Sequence, residues 1–61
     1  MAQLSEKEVT VLQDLLSDEE QLVKKFQMLS QLSEDPQVKE KYQNISKQHQ
    51  GHFNALYGYL Q

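Results

Sequence analysis

Over the first half of the chain the apolar residues fall at Val9, Leu12, Leu15, Leu16, Leu22, Val23, Phe26 and Leu29. Their steps of three, four and seven keep one face of a helix apolar and do not alternate as a strand does. Neither Gly nor Pro interrupts them. Ser5 followed three residues later by Glu8 is a capping-box signature, and Glu6 and Glu8 suit the positive end of a helix dipole. A first helix is therefore expected over about residues 6–32. The break is Ser33-Glu34-Asp35-Pro36. Pro36 disfavours helical geometry at Asp35, yet it suits the first position of a new helix with Asp35 as its N-cap. Val38, Tyr42, Ile45, Phe53, Leu56 and Leu60 then repeat at helical spacing, so a second helix is expected from Pro36 to about Tyr59. Only a few residues join the two segments. The pattern predicts an all-α, single-domain fold over residues 1–61, an antiparallel helical hairpin with its turn at 33–36.

The stripe on the first segment is wider than one neighbour can hide. At 100° per residue it spans roughly 160°. A lone hairpin is expected to leave most of Leu12, Leu16, Val23 and Phe26 wet. Two hairpins packed as a symmetric four-helix bundle are the simplest remedy, so a homodimer is expected. Length points the same way, because a chain of 61 residues buries only about 60% of its unfolded surface and is marginal alone. Small domains usually need disulfides, a metal or a partner. The chain has no cysteine, which leaves the last two.

Charge removes several classes of function. The net charge is −3 and the one basic cluster is Lys24-Lys25. Nucleic acid needs a basic footprint, so it is not an expected partner. Anionic membrane surfaces are disfavoured for the same reason, and no apolar run approaches the length of a membrane span. The first residues lack a basic region followed by an apolar stretch, so neither a secretory signal nor export is expected. Ten glutamines lie scattered over the polar faces, where they suit a solvated helical surface.

Three polar residues interrupt the apolar stripes. Glu19 falls at the centre of the stripe made by Leu12, Leu15, Leu16, Leu22, Val23 and Phe26. His49 falls on the centre line of the second stripe beside Ile45 and Leu56. His52 lies about 60° from it, near Tyr59 and still inside the stripe. Counted from residue 34, Glu19 is 15 positions before the turn, His49 15 after and His52 18 after. At about 1.5 Å per residue all three are expected at one level, roughly 22–27 Å from the turn. A lone carboxylate among leucines is costly unless it is paired or bound to a metal. Histidines at i and i+3 share a helix face, and imidazole is the commonest transition-metal side-chain ligand. The two readings are a Glu–His hydrogen-bond network that serves structure alone and a metal site made by Glu19, His49 and His52. Asp18 and Glu20 point to either side and read as solvated. Gly51 fits either close approach of a neighbour or an open surface. Bundles that bind two iron or manganese ions use Glu-x-x-His pairs, whereas this chain has His49-Gln50-Gly51-His52. A dimer would gather two Glu and four His. That nitrogen-rich set suits a single Zn, Fe, Ni or Cu ion better than a di-iron oxidation site. No nucleophile with a base, Gly-rich phosphate loop or paired-carboxylate cleft is evident, so no catalytic residue is assigned.

The runs Asp14-Leu15-Leu16-Ser17-Asp18-Glu19-Glu20, Lys24-Lys25-Phe26, Asp35-Pro36-Gln37 and Gln48-His49-Gln50-Gly51-His52-Phe53-Asn54-Ala55-Leu56 together resemble the short spore-coat proteins of endospore-forming Firmicutes, related to the coat-F family. The resemblance covers nearly the whole chain, and the Gln-His-Gln-x-His stretch is its most specific part. It implies a helical hairpin that pairs into a ferritin-like four-helix bundle. It also implies a place in the spore coat or in the mother-cell cytoplasm, with other coat proteins as further partners. Glu19, His49 and His52 fall on positions that match the family's pattern. The expected function is that of a small homodimeric structural or interaction protein. The alternative is a ferritin-like metal-binding protein with a Glu/His site in the bundle core, open to redox chemistry.

Overall fold

The computed structural model describes residues 3–61. Helix α1 runs Glu6–Leu32 and helix α2 runs Pro36–Tyr57, with a final 3-10 turn at Gly58–Leu60. The expected boundaries hold at three of the four helix ends. The fourth lies two residues earlier than expected, because the last turn tightens at Gly58 instead of continuing as α-helix. Each start is capped as the sequence predicts. The Ser5 hydroxyl accepts from the Glu8 N–H, and the Glu8 carboxylate accepts from the Ser5 N–H, both at 3.1 Å. One Asp35 carboxylate oxygen accepts from the N–H groups of Gln37 at 2.8 Å and Val38 at 3.2 Å, ahead of Pro36 in the first turn. These bonds satisfy N–H groups that a helix start otherwise leaves open. Three residues, Ser33 to Asp35, therefore suffice to end one helix and begin the next.

The helices pack side by side in antiparallel order. Glu19 meets His49, Val23 meets Ser46 and Phe26 meets Tyr42, so positions that rise along α1 fall along α2. The Cα extents are 46 × 17 × 11 Å, a slab one helix thick. Leu22 is half-buried beside the seam, and the seam itself runs through Val9, Leu12, Leu16, Glu19, Val23, Phe26 and Ser30 to the C-cap Ser33. Their steps alternate three and four throughout, the spacing of a coiled-coil seam. Tyr42, Ser46, His49, Phe53 and Leu56 repeat that spacing on α2. Small residues also take places in the seam. Ser30 and Ser46 are among its most buried positions, and the Ser46 hydroxyl donates across to the Val23 carbonyl at 3.1 Å.

One expectation fails here. The hairpin by itself buries Leu12, Leu16 and Val23, each to 8% exposure, and half-buries Phe26. The broad stripe divides into two. The seam takes the residues that point at α2. A flank about a third of a turn away is left bare, with Leu15 at 44% and Leu32 at 72% exposure, and with Val11 and Leu29 also exposed. The α2 flank contributes Val38 and Tyr59, also exposed. Both flanks lie on one side of the slab, where Leu4, Val11, Leu15, Leu56 and Tyr59 line an open groove of about 480 Å³. A two-helix slab offers each helix one neighbour, which covers a seam and no more.

Candidate metal centre

The three polar residues singled out in the sequence meet at mid-length. Glu19 stands on the inner seam of α1 between Leu16 and Val23, and its side chain retains only 16% exposure. His49 faces it from the α2 seam. The His49 Nδ1 lies 2.8 Å from the Glu19 Oε2. The carboxylate only accepts, so this is a hydrogen bond with the imidazole donating. The His49 ring lies parallel to Phe26, centroids 5.8 Å apart and 13° between planes, which fixes the plane of the imidazole. Phe26 also leans on Tyr42 at 6.1 Å, tying the site to the next layer toward the turn.

His52 differs from its expected place. It sits on the edge of the seam, not inside it, with 63% of its side chain exposed. The extra 60° of helix rotation between positions 49 and 52 carries it onto the open flank. Its ring nonetheless turns inward. Its Nδ1 is 3.4 Å from the same Oε2 of Glu19, and it stands edge-on to His49 with centroids 5.4 Å apart. Among the described residues these are the one group of three carboxylate, imidazole or thiol side chains that converge. One ligand atom from each lies within 4.8 Å of the others.

The surroundings follow the remaining expectations. Asp18 and Glu20 are exposed, and Glu20 pairs with Lys24 at 3.0 Å one turn on. A Cβ built at Gly51 meets nothing within 4 Å, which supports the open-surface reading of that glycine. No described helix is long and apolar enough to cross a membrane. Sequence reasoning did not find the roles of Ser46 and Ser30, or of Phe26 as the plate behind His49. Their one visible signal was position, since all three keep the alternating steps of the inner seam.

Chemically, the arrangement offers one carboxylate and two imidazole nitrogens at the edge of a dry seam, with one side open to water. Comparison with family models, characterised proteins and solved structures found no match to this chain.

Proposed function

We propose that the chain acts as a structural and interaction protein. In this reading the hairpin is half of a symmetric four-helix bundle formed with a second copy. The observation that carries it is the bare flank of α1. Its residues are placed almost evenly about Leu22: Leu15 and Leu29 seven positions to either side, Val11 and Leu32 further out, and Asp18 and Lys25 between them. An interface around a two-fold axis must be self-complementary. An axis beside Leu22 lays apolar residues against apolar residues, and it sets the acidic Asp18 of one copy toward the basic Lys25 of the other. Val38, Ile45, His52 and Tyr59, each seven apart, extend the same face onto α2. Covering such leucines stabilises by roughly 1.5–3 kcal/mol for each side chain fully removed from water.

In this reading the assembly belongs to a spore coat, or to the cytoplasm where a coat is built, with other coat proteins as further contacts; the resemblance to short spore-coat proteins is what supports it. Sedimentation at micromolar concentration tests the pairing. The wild-type chain is expected to be dimeric, with a melting temperature that rises with concentration. Leu15→Lys is expected to be monomeric. A folded wild-type monomer under these conditions ends the proposal. The alternative reading, a metal-binding protein, is favoured by the convergence at Glu19.

A further inference from the structure

Glu19 and His49 account for each other. Both are shielded in the seam, and one hydrogen bond satisfies the carboxylate and the imidazole that packing has removed from water. His52 has no such reason to be there. In the single hairpin its position is mostly exposed, and water can serve its ring there. Yet the ring points back at an oxygen that already has a partner. A structural pair needs one imidazole, whereas this carboxylate has two, both presenting Nδ1 to the same Oε2.

We propose that Glu19, His49 and His52 bind one divalent first-row transition ion of the zinc class per hairpin. The ligands are a Glu19 carboxylate oxygen and the Nδ1 atoms of the two histidines, and the remaining position faces the flank, open in the single hairpin and lying at the edge of the face that the proposed pairing would use. Zinc holds nitrogen and oxygen ligands at about 2.0–2.1 Å, so adjacent ligands in a tetrahedron stand roughly 3.3 Å apart. The His52–Glu19 separation of 3.4 Å already matches that edge, and the His49–Glu19 separation of 2.8 Å must lengthen slightly. One carboxylate oxygen and one ring nitrogen from each histidine already lie within 4.8 Å of one another, so small side-chain rotations close the set. A ring that coordinates through Nδ1 carries its proton on Nε2. Binding therefore replaces the hydrogen bond at Glu19 and does not add to it. Phe26 acts as a positioning residue, because its stacking holds the His49 ring in plane. Two nitrogens and one oxygen suit zinc, cobalt, nickel, copper or iron, and do not suit magnesium or calcium, which demand mostly oxygen. All three ligands come from one chain, so the site rests on the hairpin and not on its pairing.

The test uses the full chain purified without a histidine tag. Zinc(II) is titrated by calorimetry, cobalt(II) by visible absorption, and magnesium(II) serves as the comparison ion. Expected are one zinc per chain, cobalt bands typical of tetrahedral nitrogen and oxygen ligands that zinc abolishes, and no magnesium binding. His52→Ala removes a ligand from an exposed position, so helicity is expected to persist while zinc affinity drops at least about tenfold. Glu19→Gln keeps an acceptor for His49 and loses the charge, and a similar drop is expected. Leu15→Lys is expected to bind zinc as the wild type does, while sedimentation reads its pairing separately. Folded wild-type protein with no saturable zinc binding overturns the site. So does zinc affinity unchanged in both His52→Ala and Glu19→Gln. Loss of zinc binding in a helical Leu15→Lys variant overturns the claim that one hairpin suffices.

Discussion

Leu15 and Leu16 are neighbours in sequence and opposites in the fold. Leu16 is shielded in the seam between α1 and α2, whereas Leu15 is exposed on the flank. The same contrast runs along the helix, with Leu12, Leu16 and Val23 inside and Val11, Leu29 and Leu32 outside. Both sets are apolar and both follow helical spacing. What separates them is a rotation of about 100° per residue and the presence of a single neighbouring helix. An apolar stripe thus reports that a face wants cover, and the number of neighbours decides how much of it receives cover within one chain.

The strongest way to break the comparison is to truncate both leucines separately. Leu16→Ala removes a buried side chain from a thin core, and a loss of about 2–5 kcal/mol is expected. Because a domain of this size has little stability in reserve, circular dichroism should report loss of most helical signal. Leu15→Ala should leave the helicity of a dilute sample nearly unchanged and act only on the concentration dependence of melting. Equal losses from both variants in dilute solution would show that seam and flank are not distinct.

A second prediction concerns the polar layer within the seam. Removing one member of a shielded pair strands the other, at roughly 1–3 kcal/mol. Glu19→Leu should therefore destabilise. Replacing Glu19, His49 and His52 together by apolar residues of similar volume removes that penalty, and the triple variant should melt at or above the wild-type temperature without added metal. Chemical denaturation of both variants checks this. A triple variant less stable than Glu19→Leu contradicts it.

Smaller effects sharpen the picture within the seam and at a helix end. Ser46→Ala loses the one side-chain hydrogen bond that crosses to the α1 backbone at Val23, and about 1 kcal/mol is expected. The smallest effect belongs to the cap of α1. Hydrogen bonds from the Ser5 N–H and hydroxyl hold the Glu8 carboxyl below its ordinary value of 4.5. The folded form thus favours ionised Glu8 more than the unfolded form does. Its contribution is present above the ordinary value and fades as pH falls through the lowered one. Glu8→Gln should melt with a shallower acid slope than wild type below that value. Parallel slopes would remove Glu8 from the acid response.

Most of this fold could be read from local chemistry. Ser5 with Glu8, and Asp35 with Pro36, announce helix starts through bonds made within three residues, so no distant contact is needed to see them. The level of Glu19 with His49 follows from constant helix rise and a short turn, and that arithmetic held. Facing was harder to read. His52 and the buried leucines were misplaced because a wheel shows which residues share a side, but not where on that side the neighbouring axis lies. The line of closest approach depends on Ser30 and Ser46, whose small side chains count as polar in any hydropathy pattern. Phe26 was visible as an apolar residue, but its stack against His49 depends on a contact between helices.

The polar layer also limits how the two helices can slide. Leucine seams with a seven-residue repeat tolerate displacement by one heptad, roughly 10.5 Å, since apolar side chains again meet apolar side chains. Here such a shift would set Glu19 against Tyr42 or Leu56, and His49 against Leu12 or Phe26. Only the native alignment gives the carboxylate an imidazole. Glu19 therefore acts as an index mark, and the free energy it forgoes as a core residue is returned as a single permitted register.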